Sequence, residues 1–224
     1  MEWAILSELS EPDRKRVLAA CISRRYSRND TVFHQGEPGS AFHLLSSGHV
    51  AVRVSTSSGD IVTLAVLGPG DFFGEQALLS PRHLRTASVI ALEPVHTLSL
   101  DLNRFDELRR TNPSVERLLV EVLASQVRRL TTHLVEALYL PAEQRAVRRL
   151  LGLVHHYRDG DAPVVIPVTQ EDLASLAGTT RPTVNRVLRA MEDAGALRLQ
   201  RGRIEVLDVQ ALRRRAVSQD TRTA

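Results

Sequence analysis

Residues 169–208 read TQEDLASLAGTTRPTVNRVLRAMEDAGALRLQRGRIEVLD, and they decide the fold of the C-terminal part of the chain. Thr169 precedes Glu171 and Asp172, so a hydroxyl cap and first-turn acids start a helix whose apolar face is Leu173, Leu176 and Ala177. Gly178 supplies a turn. Thr180 caps a second helix with Pro182 in its first turn, and Val184, Val187, Leu188 and Met191 recur three or four apart until Gly195. Two short helices joined by a tight glycine turn make a helix-turn-helix. Beyond them, ALRLQ and RIEVLD flank Arg201 and Gly202 and predict a hairpin, the wing of a winged helix.

In a helix-turn-helix the N-terminal part of the second helix enters the major groove, and Arg181, Thr183, Asn185 and Arg186 lie off its apolar face. Arg can pair with guanine O6 and N7, and Asn with adenine N6 and N7; Thr183 and Asn185 are equally able to touch phosphate. Thr169 and Thr180 at the helix starts, and Arg201 and Arg203 on the wing, complete the DNA-binding candidates. Residues 178–215 hold nine Arg and four acids, net +5, which fits a polyanionic partner. The bland alternative is a helical pair that only packs inside an enzyme or scaffold.

Upstream, Pro141 breaks a helical pattern and a new helix runs through Arg145 to His156, followed by the polar segment YRDGDAP and a short strand, VVIPV. Arg148 and Arg149 either touch phosphate or form a wet helix face. Before Pro141, from Pro113 to Leu140, apolar residues fall at Val120, Leu123, Val127, Leu130, Leu134 and Ala137, the alternating three-and-four spacing of a coiled-coil seam. That seam predicts a parallel homodimer. Leu118, Leu119, Val122 and Leu138 give the same helix a second apolar face, available to the chain's own β domain.

Between Thr31 and about Leu100 the texture is short β-branched or alternating runs, VFHQ, HLLSSGHVAVRVS, IVTLAVL, TASVIAL and VHTLSL, punctuated by glycines, which predicts a β sandwich or barrel. The first thirty residues read as short helix, with Ser10 as N-cap, Pro12 early, and Val17, Leu18 and Cys21 on the covering face. Residues 1–140 carry 15 basic and 16 acidic residues and residues 141–224 carry 14 and 10, so the basic part is the C-terminal part. Arginine is favoured throughout, Lys15 being the only lysine, so the Arg excess has little weight alone.

Within the β region, GPGDFFGEQALLSPRHLRTASV (68–89) joins a Gly-rich turn, one acid, an apolar run, and an Arg with a following hydroxyl eleven positions after Gly74. These are the parts of a phosphate and ribose pocket: backbone N–H groups and Arg85 for the anion, Glu75 for a sugar hydroxyl. No nucleophile, base and orienting residue occur together in a recognisable motif, so an enzyme is not expected.

The whole chain resembles the family of the cyclic-AMP receptor protein and the fumarate-nitrate regulator. The resemblance rests on FGE, a short apolar run and Arg with Ser or Thr (Phe73, Gly74, Glu75, Leu78, Leu79, Arg85, Thr86), and on TQEDLASLAGTTRPTVNRVL. It implies an α+β architecture: an N-terminal cyclic-nucleotide-binding β-roll (double-stranded β-helix) with N-terminal helices over 1–111, a dimerisation helix over 112–140, and a winged helix-turn-helix over 141–224. It further implies cyclic AMP as effector, with cyclic GMP possible, bound at Gly74, by Glu75 (ribose 2'-hydroxyl) and by Arg85 and Thr86 (cyclic phosphate). An ungapped register of the long helix places Leu130 and Thr131 at the base, so only Thr131, helped by Thr132, can hydrogen-bond it. The DNA partner is then a near-palindromic duplex operator, and RNA polymerase is a partner if the regulator activates.

The Leu130 and Thr131 register is one departure from the family pattern, Pro182 a second and Gln76 a smaller one. Pro182 replaces an acid in the recognition helix and cannot read a base edge, so the operator is expected to differ from that receptor's best-known site. Gln76 stands where the family usually has an apolar residue. The lone Cys21 excludes the [4Fe-4S] branch and any cysteine cage, and six scattered histidines (His34, His43, His49, His83, His96, His133) make no haem or metal site. No apolar run approaches about 18 residues, and MEWAILSELSEPDRKR is acidic where a signal peptide starts basic, so a cytoplasmic protein without a membrane segment is expected. The rival expectation is a constitutive DNA-binding dimer whose β-roll is a structural platform and whose Leu130 strengthens the seam.

Overall fold

The computed structural model describes residues 3, 6, 9–111, 113–158 and 163–217, with the side chains of residues 78, 109, 116, 118 and 119 outside the described part. The expectations for Leu78, Leu118 and Leu119, and for the middle of YRDGDAP, therefore lie outside it. The chain divides into two compact units, 1–61 with 65–131, and 62–64 with 132–224.

The first unit runs α1 (Glu11–Ala20), β1 (Ile22–Tyr26), β2 (Thr31–Phe33), β3 (Ala41–Ser47), β4 (Val50–Ser55), β5 (Ile61–Leu67), β6 (Phe72–Phe73), α2 (Glu75–Leu79), β7 (Ser88–Ala91), β8 (Val95–Asp101), α3 (Leu102–Thr111) and the start of α4 (Pro113–Tyr139). Two four-stranded sheets, ordered β1-β8-β3-β6 and β2-β7-β4-β5, form the β-roll. The side-chain period of two makes β3 a two-faced strand. Leu44 points into one core with Trp3, Leu6, Phe42, Leu100 and Phe105, while Leu45 points into another with Val50, Phe73, Val89 and Val95. Trp3 donates its indole N–H to the Leu45 carbonyl at 3.1 Å.

Val115 and Val122, two helical turns apart, put the start of α4 into the Leu44 core. Val122 thus occupies the inner face expected of it. Leu138 does not: it is 67% exposed. The seam residues Val120, Leu123, Val127, Leu130 and Leu134 are all exposed on the single chain.

Two further elements depart from the sequence expectation. Ser10 caps α1 by accepting from Asp13 N, but the helix stops at Ala20, Cys21 is its C-cap, and β1 follows at once. ISRRY was illegible as a strand because β1 is an edge strand, paired only with β8 and mostly exposed, so it carries no apolar alternation. α3, polar apart from Leu102, Phe105 and Leu108, was likewise not anticipated.

The second unit continues α4 and adds α5 (Ala142–Tyr157), β9 (Val164–Ile166), α6 (Gln170–Leu176), α7 (Arg181–Asp193), β10 (Leu197–Gln200), β11 (Arg203–Val206) and α8 (Val209–Val217). Pro141 is the N-cap of α5, so the helix starts three residues before Arg145. Its buried face, Ala146, Val147, Leu150, Leu153 and Val154, has the three-and-four spacing of an amphipathic helix. Gly178, at φ +57, turns α6 into α7, a left-handed conformation that side chains with a Cβ rarely adopt. β10 and β11 form the antiparallel wing, with β9 as a third strand on β11.

The two helix starts differ. Thr169 makes a full capping box with Asp172, whereas Thr180 occupies the N-cap position of α7 without capping it, its hydroxyl lying 3.1 Å from Thr183 Oγ1. Thr169→Ala is therefore expected to cost about 1 kcal/mol of unfolding free energy, and Thr180→Ala clearly less; denaturant melts of the two variants check the contrast.

Candidate ligand pocket and nucleic-acid surface

A pocket of about 210 Å³ opens in the first unit, walled by Phe33, Phe73, Gly74, Glu75, Gln76, Arg85 and Thr86 and by Ser125, Gln126 and Arg129 of α4. The backbone explains why these side chains converge. β6 pairs with β3 through His43 and Phe73, and Gly74 then turns the chain into α2 at φ +88. A Cβ on Gly74 would lie 2.6 Å from Arg85 Nη1, so the glycine serves both the turn and the close approach of the guanidinium.

Arg85 is only 6% exposed. Its Nη1 donates to the Gly74 carbonyl at 2.9 Å and its Nη2 to the Ala41 carbonyl at 2.8 Å, and its Cζ lies 3.9 Å from the Phe33 ring centroid. Its own backbone is anchored at both ends, by Gly36 N to Arg85 O and Arg85 N to Glu37 O. Nε is buried without a hydrogen-bond partner among the described residues. One strong donor is thus held in the wall with nothing among the described residues to receive it.

Glu75, also 6% exposed, receives the Gln126 side-chain amide of α4. Burial pushes its carboxyl above the ordinary range, against the pull of Gln126, its own N–H, and the Arg129 and Arg85 charges. Thr86 donates to Gln76 Oε1 at 2.8 Å, and Gln76 Nε2 to Gln126 Oε1 at 3.3 Å. Thr86, Gln76, Gln126 and Glu75 therefore form one polar chain across the pocket mouth. Gln76, unusual at its position, is its middle link.

Thr131 and Thr132 are not in this wall. Each residue advances about 100° around a helix, so Thr131 is turned some 200° from Arg129, onto the flank of the exposed Leu130 and Leu134 stripe. The α4 residues that do line it are Ser125, Gln126 and Arg129. No motif marks them in sequence, since polar residues beside an apolar stripe are ordinary on any half-exposed helix.

In the second unit, a groove of about 420 Å³ brings together Thr169, Gln170, Arg181, Arg201 and Arg203 between the helix starts and the wing. Arg181 and Arg201 are exposed, and Arg203 Nε donates to Gln200. The Thr169 hydroxyl is occupied by the cap, donating to Asp172 Oδ2 and accepting from Asp172 N. Thr180, Thr183, Asn185 and Arg186 lie outside this groove on α7. Asn185 donates to Gln170 at 2.9 Å, and Arg186 pairs with Glu143 of α5 at 2.7 Å.

Both readings of Arg148 and Arg149 give way to a third. They pair with buried Glu136 of α4, at 3.5 and 2.6 Å, and Arg149 Nε also donates to the Leu176 carbonyl at 3.1 Å. Arg145 donates to three carbonyls, Leu140 at the end of α4, and Ala177 and Gly178 in the helix-turn-helix turn. Glu136, Glu143 and Arg145 were not singled out from sequence, because all their partners but Leu140 lie 12 to 43 positions away and leave no local pattern. Among the described residues no cluster of three or more His, Cys, Asp or Glu could hold a metal ion, and no helix is long and apolar enough to cross a membrane. Cys21 packs beside the Trp3 core, and burial pushes its thiol up to about 11.

A pocket with a buried guanidinium and carboxylate, in a chain that also carries a winged helix-turn-helix, defines the class of ligand-pocket DNA-binding regulators. Residues 23–112 match the cyclic nucleotide-binding domain family and residues 144–215 the Crp-like helix-turn-helix domain family. The chain is 36% identical to the cyclic AMP receptor protein of Thermus thermophilus over 84% of its own length and 85% of that protein's. It is 30% identical to the CRP-like cAMP-activated global transcriptional regulator of Mycobacterium tuberculosis over 85% of its own length and 86% of that protein's. The crystal structure of the Thermus thermophilus catabolite activator protein superposes with a TM-score of 0.55 at 32% identity, covering 95% of this chain and 97% of that one. The chain belongs to the cyclic-AMP receptor protein and fumarate-nitrate regulator family: it is a DNA-binding transcription regulator with a cyclic nucleotide-binding domain, not an enzyme.

His43, stacked behind Phe73 of the pocket wall, supplies a test of that packing. It stacks on Phe73 at 5.0 Å with Nδ1 3.2 Å from Thr97 Oγ1, and burial, with the Arg85 and Arg24 charges, lowers its pKa to about 3. A lowered folded value means stability that is complete above the unfolded value near 6.5 and lost as pH falls from there towards 3. Unfolding free energy should fall by up to about 1.4 kcal/mol per pH unit in that window from this group, and His43→Phe should remove that share of the slope in melts across pH.

Proposed function

We propose that this chain is a homodimeric, sequence-specific transcription regulator of the cytoplasm whose DNA binding is set by a cyclic nucleotide, cyclic AMP first, held at Gly74, Glu75, Arg85 and Thr86. The observation that carries the reading is the partnerless Arg85 Nε, buried in a pocket that also holds the Thr86 hydroxyl and the Glu75 carboxyl. A cyclic phosphate fits the first two and a ribose hydroxyl the third. The name of the Thermus thermophilus relative, a cyclic AMP receptor protein, supports cyclic AMP over cyclic GMP.

In this reading the chain works in three parts, 1–111 for the nucleotide, 112–140 for the dimer and 141–224 for DNA. The nucleotide meets α4 at Ser125, Gln126 and Arg129. The same helix ends at Tyr139, and Arg145 donates to the carbonyl of the next residue, Leu140, while holding the Ala177 and Gly178 carbonyls of the helix-turn-helix. For regulation, the nucleotide must favour the DNA-competent arrangement, with a coupling of about 1–3 kcal/mol. The two recognition helices of a two-fold dimer then read half-sites about 34 Å apart. If the regulator activates, RNA polymerase is its further partner.

A nucleotide-independent regulator is the second reading. One observation favours it: Thr86, Gln76, Gln126 and Glu75 already hydrogen-bond one another. Calorimetric titration with cyclic AMP and with cyclic GMP decides between them. Micromolar binding of one nucleotide, abolished by Arg85→Ala without loss of the fold, is expected; silence from both nucleotides, or unchanged affinity in the variant, selects the second reading.

The dimer has its own test. Val127 is 61% exposed at the middle of the stripe, and Val127→Glu is expected to turn a dimer into a monomer in sedimentation equilibrium and to abolish operator binding, because an unpaired carboxylate in a coiled-coil seam costs several kcal/mol.

A further inference from the structure

Recognition helix α7 and helix α5 are joined by one ion pair whose geometry is uneven. Arg186 donates from Nε at 3.0 Å and from Nη2 at 2.7 Å, both to the same oxygen, Glu143 Oε1. A guanidinium carries five donors in one plane, divided between a side edge, Nε with Nη2, and an end edge, Nη1 with Nη2. Glu143 occupies the side edge. Nη1 has no hydrogen-bond partner among the described residues, so the end edge keeps N–H groups on Nη1 and Nη2 that can span guanine O6 and N7.

The pair lies in solvent, with the Arg186 side chain 70% and the Glu143 side chain 35% exposed. Exposed ion pairs are weak, so this one cannot withhold Arg186 from a guanine that offers two hydrogen bonds. It can choose the rotamer. A long side chain already held by a carboxylate loses less freedom when it meets a base than a free one does.

We propose that Glu143 is a specificity-determining residue for DNA: it orients the end edge of Arg186 towards a guanine, and its negative charge beside that edge weakens contact with duplexes that place no guanine there. The inference rests on the reading of Arg186 as a base contact. Both effects widen the gap between operator and random DNA. Orientation strengthens the matched contact, while a fixed acid near phosphates repels every sequence and is offset only where Arg186 is matched. Nothing local in the sequence joins the two residues, which lie 43 positions apart.

The experiment uses the full chain and an operator selected from random duplexes, with and without cyclic AMP. Affinity is then measured for that operator, for the operator with its Arg186-contacted guanine replaced, and for a random duplex. Glu143→Gln is expected to lower the operator-to-random affinity ratio about three- to tenfold, the coupling of neighbouring residues, with the loss concentrated at the guanine. In an Arg186→Ala background the same change should leave the ratio where Arg186→Ala put it. If Glu143→Gln instead tightens operator and random duplex by one common factor, Glu143 masks Arg186 and the proposal is overturned. An unchanged ratio in Glu143→Gln, with a lowered one in Arg186→Ala, also overturns it while leaving the base contact standing. If Arg186→Ala weakens all duplexes alike, or no duplex is selected, the base contact itself fails and the proposal with it.

Discussion

A guanidinium taken out of water must recover from the protein what hydration supplied, and Arg85 imposes this requirement on the β-roll around it. The Gly74 and Ala41 carbonyls must face it, so β3 and the turn after β6 have to meet at one point. A ring must lie flat against it, which Phe33 of β2 provides at 3.9 Å. Space must be kept open: a Cβ on Gly39 would fall 2.2 Å from Ala77 Cβ and 3.1 Å from Arg85 Nε. Even so, Nε is left over. The fold therefore concentrates two polar residues that are costly to bury, Arg85 and Glu75, around a space sized for a small ligand, an arrangement favoured by a binding site and disfavoured by a merely structural platform.

α4 carries this pocket outwards because it has three faces. Val115 and Val122 pack on the core, Gln126 and Arg129 stand in the pocket wall, and Val120, Val127, Leu130 and Leu134 remain exposed. Gln126 already donates to Glu75 and accepts from Gln76, so in the proposed reading a ligand that draws on the same amide would link its affinity to the set of α4. At its other end α4 is bound to α5 by Glu136 with Arg148 and Arg149, and Arg145 ties the Leu140 carbonyl just beyond it to the turn between α6 and α7. The arginines that sequence reasoning assigned to phosphate or water are the fastening of that joint.

Legibility followed the range of the interactions. The winged helix-turn-helix could be read because each of its signals is local: the Thr169 cap, the Gly178 turn, the spacing of Val184, Val187, Leu188 and Met191, and the Arg201–Gly202 hairpin. The long helix could be read because its stripe repeats. β1 could not, since an exposed edge strand needs no alternation, and Leu138 was misplaced because a pattern of apolar residues does not say which face will be covered. The pocket was half legible. Gly74, Glu75, Arg85 and Thr86 lie within twelve positions of one another on a single turn and its return, whereas Gln126 reaches them from 51 positions beyond Glu75.

The same distinction changes how the charge of the C-terminal part should be weighed. Its net excess suggests a generally basic face, yet seven of its fourteen arginines are committed: Arg145 to carbonyls, Arg148 and Arg149 to Glu136, Arg186 to Glu143, Arg189 to Glu192, Arg198 to Glu205 and Arg214 to Asp208. Arg181 and Arg201, in the groove between the helix starts and the wing, have no acidic partner among the described residues. Unpaired arginines attract any phosphate backbone and supply the salt-dependent, sequence-blind part of DNA binding. Arginines held by a carboxylate contribute little to that part, since their charge is already balanced nearby, but their geometry is set before contact. In the proposed reading, discrimination by a winged helix built this way depends on the guanidinium edges that its own acids leave open.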